Sequence, residues 1–514
     1  MKKKLPIGIQ TIEKIINENY LYIDKTEYFY KLVTEGGYYF ISRPRRFGKS
    51  LTLSTLKAIF KGKKELFKDQ WIYNKIEFEK HPVIHIDFNK INHGKNMETF
   101  ENSLKEMLLT HAKEYNVTIK DTTPKDMFVE LVTNLSEINQ VVLLVDEYDK
   151  PIIDYITDEE KANENKDFIS SFYEAIKGLD EYLKFVMLTG VTKIAKVSIF
   201  SKLNNLRDIS MSREYAGMFG ITEEELYSYF DKYIVDTAIY LKITEEELKI
   251  NLKKWYNGYS WDALVKVYNP FSILSFFKEM KFSNYWFETG TPSFLIDQMK
   301  NSNYDLTNIK EVELEDYVFS SYDIKKVKVS CLMFQTGYLT IAEENQFMED
   351  ITLYKLRVPN YEVEKSLMNH ILDVYADGTV EETKPPYIKM LRALKDNKIK
   401  EFIKTLQVSF ASIPYTLYPK KEDYYHSIFF LMMSLIGANI EVEVLTDKGR
   451  IDGVLEFDDK IYIIEFKVGK AIEGIKQIKE RKYFEKYLNH KKEIILLAVG
   501  GFDEKEIGYE VETI

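Results

Sequence analysis

The sequence predicts an α/β protein of several domains, because its length exceeds that of one domain and its hydrophobic pattern changes twice along the chain. The 514 residues suffice for roughly two to four domains of about 150 residues each. Over residues 36–210, short apolar runs alternate with helical stretches, and a run such as Val141–Val145 is typical of a parallel strand buried on both faces. Residues 221–420 have a mostly helical pattern. From about residue 421 the pattern predicts a helix, three strands, a helix and a strand, which indicates a separate α/β domain.

These changes in pattern set the predicted domains at residues 1–220, 221–420 and 421–514. In the middle region, Thr222–Leu226 has the form of a capping box at the start of a helix. Four strands are predicted in the first domain, over Tyr38–Ile41, Val83–Phe88, Val141–Val145 and Phe185–Thr189.

The composition excludes some classes of protein. With 45% hydrophobic residues the chain can bury large cores, which excludes disorder throughout. The net charge of −10 argues against a protein that coats nucleic acid through its overall charge, but it leaves room for local basic grooves.

The single cysteine, Cys331, lies in an apolar run, so we expect a buried thiol and a reducing compartment. No signal peptide or stretch of the ~20 apolar residues that span a bilayer is recognised, so we expect a cytoplasmic protein without a membrane partner.

Residues Arg43–Ser50 end in the pattern of a phosphate-binding loop, Gly-Lys-Ser, between a predicted strand and a predicted helix over Leu51–Phe60. In such a loop the glycine lets backbone N–H groups approach phosphate, and the lysine reaches the β- and γ-phosphate oxygens. The serine hydroxyl ligates Mg²⁺, and the helix N-terminus favours negative charge. Arg43 stands where the generic motif has glycine. We predict that the following residues bind ATP: Arg45, Arg46, Phe47, Gly48, Lys49, Ser50 and Leu51, with Ser50 also a metal ligand.

The loop lies in a basic stretch. Eight basic residues and no acidic residue occur between Gly36 and Lys64. This surplus fits a solvated helix face, and it also fits a cradle for a triphosphate that Arg45 or Arg46 completes; both interpretations hold in part.

Two carboxylates follow the apolar strand at Val141–Val145. Asp146 is predicted to hold the metal through water, and Glu147 is predicted to polarise the attacking water as the catalytic base. A phosphate-binding loop followed by such a strand predicts a P-loop NTPase with a parallel sheet. An alternative stays open, in which Glu147 only caps a helix.

Further along, a strand ends at Thr189. Thr189 or Thr192 could contact the γ-phosphate or the attacking water, although Thr189 could equally mark a simple turn. Arg207 or Arg213 could act as an arginine finger, and the sequence does not choose between them.

A second set of charged residues lies near the C-terminus. Asp452 and the segment Glu465–Lys467 are predicted on two strands of a hairpin, joined by a turn at Asp458-Asp459. Because side chains at positions i and i+2 share one face of a strand, Glu465 and Lys467 lie together and Asp452 can reach them. Two carboxylates and a lysine can form an oxygen site for Mg²⁺ beside a cation. The alternative is an ordinary surface hairpin with an exposed ion pair.

A basic helix is predicted directly after this hairpin, from Ala471 to Leu488. Between Lys470 and Lys492 there are eight basic and three acidic residues, a surplus that suits a nucleic-acid backbone. His426, on a helix upstream, could supply a further group but is better explained as a structural histidine. His81 and His85 are also interpreted as structural.

Several segments resemble the bacterial AAA-ATPase-like family, in which Arg43 in place of glycine is common. They are Pro6–Gln10, Tyr22–Thr26, Ser42–Ser50, Asp146–Pro151 and Ser201–Asp208. The C-terminal part resembles the PD-(D/E)XK nuclease superfamily, since Asp452, Glu465 and Lys467 match its signature, although the proline that names the motif is absent. Gln477 and Tyr483 match the helix motif of that family. The resemblance covers roughly residues 5–220 and 420–510. The middle region follows the family only in outline. Part of it could have a winged-helix-like fold.

The resemblance implies a fold and a function. It implies a P-loop NTPase sheet, a helical middle region and a restriction-endonuclease-like α/β domain at the C-terminus. The expected cofactors are ATP and Mg²⁺, with Asp452 and Glu465 ligating Mg²⁺ and Lys467 orienting the water or the scissile phosphate. The expected partner is nucleic acid, with DNA favoured over RNA, and a homo-oligomer is compatible with this organisation. The alternative is a nucleotide-switched module that binds nucleic acid or protein through a nuclease fold that does not cleave.

Overall fold

The computed structural model describes most of the chain. The described residues are 2–94, 96–193, 205–286, 295, 298, 299, 309, 311–320, 328–375, 386–411, 439–446, 449–467, 469–501 and 507–514. The chain divides into two compact units, which we call the N-terminal unit (Met1–Gln298 with Glu311–Glu362) and the C-terminal unit (Met299–Lys310 with Val363–Ile514). The three-part division predicted from the sequence stays a prediction.

Within the described residues the α-helices are α1 Ile12–Asn17, α2 Thr26–Glu35, α3 Lys49–Phe60, α4 Met97–Glu114, α5 Pro124–Ser136, α6 Lys150–Ile153, α7 Glu159–Lys177, α8 Glu223–Tyr229, α9 Asp231–Leu241, α10 Glu245–Tyr256, α11 Pro270–Glu279, α12 Val329–Thr336, α13 Tyr361–Tyr375, α14 Pro386–Lys395, α15 Ile399–Ala411 and α16 Ala471–Glu480. The strands are β1 Gly37–Ser42, β2 Val83–Asp87, β3 Val141–Asp146, β4 Leu183–Gly190, β5 Leu206–Asp208, β6 Ile221–Thr222, β7 Val267–Tyr268, β8 Glu311–Glu315, β9 Thr340–Met348, β10 Ile351–Arg357, β11 Asn439–Thr446, β12 Gly449–Glu456, β13 Lys460–Phe466, β14 Glu493–Gly500 and β15 Gly508–Thr513. Short 3-10 helices cover Lys64–Phe67, Trp71–Asn74, Asp180–Tyr182, Arg213–Tyr215, Asp316–Ser320 and Tyr483–His490.

The N-terminal unit is built on a five-stranded parallel sheet with the order β2-β3-β4-β1-β5. The four predicted strands of this sheet are confirmed, and β5 is an addition. Strand β3 is buried along its whole length, as its uninterrupted apolar sequence predicts. Since β3, β4 and β1 are neighbours and parallel, the loops after Asp146, Gly190 and Ser42 meet at one edge of the sheet.

The middle of the chain adds helices to the same unit. Helices α8 to α11 bury their apolar faces in one cluster around Phe230, Leu252 and Phe276. The capping box predicted at Thr222 is present, with Glu225 bonding back to the Thr222 N–H. A three-stranded antiparallel sheet, β8-β10-β9, follows in the chain.

The C-terminal unit contains a mixed sheet with the order β11-β12-β13-β14-β15, in which only β13 and β14 are parallel. Alternate residues of β13 face opposite sides: Tyr462 and Ile464 pack with residues of α14 and α15, whereas Ile461 and Ile463 pack with residues of α16. Both faces of the strand are therefore buried, as its sequence predicts. The α/β fold class is confirmed in both units. Among the described residues no helix combines the length and apolar character needed to cross a membrane.

Two features of the C-terminal unit differ from the sequence prediction. The basic helix does not run unbroken to Leu488, because α16 ends at Glu480 and Lys482 adopts a left-handed φ of 50° before a 3-10 helix begins. Strand β15 was not predicted, since its exposed, acidic sequence lacks an apolar pattern.

Candidate functional site

A cavity of about 650 Å³ lies in the N-terminal unit, beside the phosphate-binding loop. Eight predicted residues line it: Arg45, Arg46, Gly48, Lys49, Ser50, Leu51, Glu147 and Thr192. Helix α3 begins at Lys49, so the first N–H groups of this helix have no partner within it. Gly48 precedes them with a φ of 97°, a left-handed conformation that favours glycine. The loop thus presents backbone donors and the positive end of a helix dipole, which suits an anion.

The Phe47 side chain packs this loop against residues of the middle region. Its side chain is only 2% exposed and meets the rings of Tyr259 and Trp261 edge-on, at centroid distances of 4.8 and 5.3 Å. The ring does not line the cavity. The structure therefore places the Phe47 side chain in the core under the loop, and its backbone within the loop.

Lys49 is the first residue of α3 and is 4% exposed. Its ammonium donates to the carbonyl oxygens of Arg43, at 2.9 Å, and Pro44, at 3.3 Å. The Glu147 Oε1 atom is 3.4 Å from the Lys49 Nζ atom. The two predicted motifs are thus in direct contact, and a buried ammonium so placed can exchange these oxygens for those of a phosphate.

Asp146 ends β3 and is 2% exposed. Its Oδ1 atom accepts a hydrogen bond from the Thr189 hydroxyl at 2.7 Å. Thr189 is itself buried and does not line the cavity, whereas Thr192 does. The structure therefore directs the Thr189 hydroxyl at the carboxylate that the sequence assigns to the metal. Glu147 follows with a φ of 54°, unusual for a residue other than glycine.

Asp149 was missed by the sequence analysis. It is 1% exposed, lines the cavity and accepts hydrogen bonds from Val191 and Thr192. Burial and the Glu147 carboxylate raise the pKa of Asp149 to about 6. Its place within Asp146–Pro151, a segment that carries the family resemblance, was the available signal.

The arginines of the loop have separate environments. Arg45 and Arg46 line the cavity; the Trp286 Nε1–H donates to the Arg45 carbonyl at 3.1 Å, and the Arg46 guanidinium lies 4.8 Å from the Phe271 ring centre. Arg43 is fully buried instead. It donates to the carbonyl oxygens of Ser42 and Ser210, and its guanidinium lies 4.0 Å from the Trp261 ring centre. Burial lowers the pKa of Arg43 to about 9. Arg43 therefore replaces the usual glycine as a packing residue.

The two arginine-finger candidates do not line the cavity. Arg207 pairs with Glu35 at 3.0 Å and with Glu214 at 3.5 Å. Arg213 pairs with Glu344 at 3.2 Å. Nothing in these contacts distinguishes the two, and a finger role for either stays a prediction.

The donor set of the cavity fits Mg²⁺ and a triphosphate. Lys49, Arg45, Arg46 and the N-terminus of α3 are cationic or hydrogen-bond donors, and they surround one cavity. Ser50 lines the cavity and would ligate Mg²⁺ there. Asp146 does not line the cavity, and its carboxylate, held by the Thr189 hydroxyl, would hold the metal through water.

The second site is a cluster on β12, β13 and α16 of the C-terminal unit. Glu465 is 0% exposed, and its Oε1 atom accepts hydrogen bonds from Lys467, at 3.2 Å, and from Gln477. The Asp452 Oδ2 atom accepts from the Phe466 N–H at 2.8 Å, which holds the carboxylate beside β13. The structure thus brings together the three predicted residues and Gln477.

Glu465 has an unusual electrostatic environment. Burial and the Asp452 carboxylate raise its pKa to about 8, and Lys467 opposes that shift. Its Oε2 atom is buried and makes no hydrogen bond within the described part of the chain. An orphaned oxygen near a second carboxylate fits a hard cation such as Mg²⁺, with Asp452 and Glu465 as its protein ligands. Among the described residues no group of three or more His, Cys, Asp or Glu could hold a metal ion, so the site offers two carboxylates.

The surroundings of this site are basic. Seven cations on and around α16 are exposed: Lys470, Lys476, Lys479, Arg481, Lys482, Lys486 and Lys491. Tyr483 is buried and its hydroxyl accepts from Arg481 at 3.4 Å, so it serves the packing of this segment. His426 lies outside the described residues.

The remaining residues singled out in the sequence have contacts that serve folding rather than chemistry. The His81 Nδ1 atom lies 2.8 Å from the Gln140 carbonyl oxygen, and His85 belongs to the buried sheet. Burial raises the pKa of the Cys331 thiol to about 11, which makes it a poor nucleophile. Lys25 donates to the Gly217 carbonyl and to Glu225, so Tyr22–Thr26 anchors the start of the chain to the middle region.

Comparison with known proteins identifies the class. Residues 6–200 match a family described as predicted AAA-ATPase, and residues 420–511 match the PD-(D/E)XK nuclease superfamily. The chain therefore belongs to the predicted AAA-ATPase-like family and carries a C-terminal domain of the PD-(D/E)XK nuclease superfamily. It is 34% identical, over 532 residues, to a protein of Azotobacter chroococcum mcd 1 described as an uncharacterized protein in the vnfD 5' region, and the match covers 100% of this chain and 99% of the relative. No solved structure matches the chain.

Proposed function

We propose that the chain hydrolyses ATP in the cavity of the N-terminal unit and cleaves phosphodiester bonds of nucleic acid at the Asp452–Glu465–Lys467 cluster. The first activity rests on the contact between Lys49 and Glu147 at the start of α3, 3.4 Å apart on the wall of one cavity. The second rests on Glu465, whose one oxygen is held by Lys467 and Gln477 while the other faces no partner within the described residues.

In the N-terminal unit each side chain has a defined task. The Lys49 ammonium gives up the carbonyl oxygens of the loop for those of the β- and γ-phosphates, and it neutralises charge that develops on the transferred group. Glu147 accepts a proton from the attacking water. Ser50 would ligate Mg²⁺, and Asp146, held by Thr189, would hold the metal through water. Arg45 and Arg46 add positive charge along the same wall.

In the C-terminal unit the carboxylates of Asp452 and Glu465 would hold the cation, and Lys467 would stabilise charge on the scissile phosphate. Bound Mg²⁺ would polarise that phosphate and lower the pKa of a water molecule. Gln477 and Lys467 fix one Glu465 oxygen so that the other is oriented for the cation. The exposed cations around α16 give a nucleic-acid backbone its electrostatic partner, and we favour DNA over RNA.

The ATPase half is tested with Lys49→Ala. We expect loss of ATP hydrolysis by more than about 100-fold, because the ammonium that neutralises the transferred phosphoryl group is gone. Lys63→Ala is the matched control, since Lys63 belongs to the same basic stretch but pairs with Glu13 and does not line the cavity. Phosphate release is measured for both variants and for the wild type.

Wild-type turnover in Lys49→Ala, with matched circular dichroism and melting, would refute the ATPase half. Binding of plasmid, single-stranded DNA or RNA without cleavage in Mg²⁺ would instead favour the nucleotide-switched binding module.

A further inference from the structure

Two loops at the edge of the parallel sheet are joined by several hydrogen bonds. The Tyr148 N–H donates to the Thr189 carbonyl at 3.0 Å, and the Tyr148 hydroxyl donates to the Thr192 carbonyl at 3.0 Å. Together with the bond from Thr189 to Asp146, these contacts run along residues 146–149 on one side and 189–192 on the other. Residues 146–149, at the end of β3, and residues 189–192, at the end of β4, are therefore held together; we call residues 191 and 192 the loop after β4.

Asp149 makes the densest set of these contacts. Its Oδ2 atom accepts from the Thr192 N–H at 2.6 Å, from the Thr192 hydroxyl at 2.9 Å and from the Val191 N–H at 3.1 Å, while Oδ1 lies 3.2 Å from the Val191 nitrogen. A single carboxylate thus accepts from two successive backbone N–H groups and one hydroxyl. An ionised carboxylate, with about four lone-pair sites and no O–H of its own, can accept from all of these donors.

Gly190 permits this close packing. A Cβ atom at Gly190 would lie 2.5 Å from the Tyr148 Cδ1 atom and 2.6 Å from the Asp149 Oδ1 atom. Any larger residue would push the two loops apart. The close packing of residues 146–149 against residues 189–192 therefore depends on two features. Gly190 has no side chain, and Asp149 has a carboxylate.

The contact bears directly on Glu147. Glu147 has a φ of 54°, and the residues that follow it, Tyr148 and Asp149, are the ones fastened to the loop after β4. A left-handed conformation at a residue other than glycine persists only when its surroundings hold it. Glu147, Asp149, Val191 and Thr192 all line the cavity.

We propose that Asp149 is a positioning residue for ATP hydrolysis: it ties the loop after β4 to the turn at Glu147, so that Glu147 and Thr192 keep their places on the cavity wall. This inference rests on the proposed role of Glu147 as the catalytic base. It assigns Thr192 a task that acts through Asp149, since the Thr192 hydroxyl donates to that carboxylate.

Asp149→Asn in the full chain is the first test. The amide keeps the size of the side chain but offers one acceptor oxygen, so the Val191 and Thr192 donors cannot all be satisfied. We expect kcat for ATP to fall by about 10- to 100-fold, the loss typical of a small misplacement of a reacting group. The dissociation constant of an N-methylanthraniloyl derivative of ATP with Mg²⁺ should change less than about threefold, because Lys49 and the loop are untouched.

Asp180→Asn is the matched control. Asp180 accepts a hydrogen bond from the Tyr38 hydroxyl near the opposite end of the sheet, at 3.1 Å, and does not line the cavity. Asp180→Asn shows how an aspartate-to-asparagine substitution away from the cavity affects hydrolysis. Its kcat should stay at the wild-type value.

A second pair of variants keeps the test decisive if Asp149→Asn does not fold. Thr192→Val removes the hydroxyl that bonds Asp149 and should lower kcat with nucleotide affinity unchanged, whereas Thr192→Ser retains that hydroxyl and should lose less kcat than Thr192→Val. Wild-type kcat in Thr192→Val, and in Asp149→Asn where that variant folds, or equal losses of kcat and nucleotide affinity in these variants, would overturn the inference. A wild-type protein without ATP hydrolysis would overturn the proposed function, and the inference with it.

Discussion

Glu147 is the residue on which the interpretation of the N-terminal cavity depends most. It contacts Lys49 across the cavity wall and holds a left-handed backbone conformation directly after β3. A carboxylate that only caps a helix has no reason to contact the lysine of the phosphate-binding loop. The arrangement therefore favours the catalytic-base interpretation over the helix-cap alternative.

Glu147→Gln should bind ATP and hydrolyse it poorly. Glutamine keeps the shape of the side chain but cannot accept the proton of the attacking water, so we expect a loss of about 10²- to 10⁴-fold in turnover. Calorimetric ATP binding and phosphate release measure the two steps separately. Glu106→Gln, an exposed glutamate of α4, is the control. If binding and turnover fall together, Glu147 is structural.

At the residue scale, the sequence predicted the charged residues that stand in short contiguous motifs. Lys49, Asp146 and Glu147 could be named because each follows a recognisable strand or glycine. The task of Asp149 could not be predicted, since it depends on how the chain returns at Val191 and Thr192, over forty residues later. The bond from Thr189 to Asp146 has the same origin.

At the scale of elements, buried strands were predictable and exposed ones were not. An uninterrupted apolar run such as β3 has one plausible structure, a strand covered on both faces. Strand β15 is held by its pairing with β14, and its own exposed side chains carry no such pattern. The break at Lys482 likewise follows from tertiary packing, because Tyr483 and Tyr487 must be buried after it.

Strand β2 contains a histidine that makes stability depend on pH. Burial lowers the pKa of His85 to about 4, and the Lys57 ammonium acts in the same direction. Since the unfolded chain has the ordinary value near 6.5, the folded state binds fewer protons between about pH 6.5 and 4. The stabilisation is complete above this window and is lost as the pH falls through it.

We therefore expect the unfolding free energy to fall by an amount on the order of 3 kcal/mol through His85 as the pH is lowered from 7 to 4. His85→Phe should remove the contribution of His85 to this pH dependence. A smaller pH dependence should persist in the variant, because burial also lowers the pKa of His111. Urea unfolding of the two proteins at several pH values measures the difference. An identical pH dependence in His85→Phe and the wild type would show that His85 does not contribute.

At the scale of the whole molecule, the chain has two compact units, and each of them contains one of the two candidate sites. Each site is assembled from residues of its own unit, so the proposed activities are separable by substitution. The order of the two units follows the order of the two families along the chain, 6–200 and then 420–511. This organisation was predictable, because each family carries its chemistry in a local motif.

The second proposed activity is the central claim, and Mg²⁺-dependent cleavage of nucleic acid by the full-length protein tests it most directly. Wild type and Asp452→Asn are incubated with plasmid, single-stranded DNA and RNA, and ATP hydrolysis and melting are recorded on the same samples. Asparagine keeps an oxygen that can accept from the Phe466 N–H, so the fold should persist while the carboxylate charge is lost. We predict cleavage by the wild type, a loss of more than about 100-fold in Asp452→Asn and unchanged ATP hydrolysis. Equal cleavage by both proteins, or no cleavage of any of the three substrates by the wild type, would contradict the account.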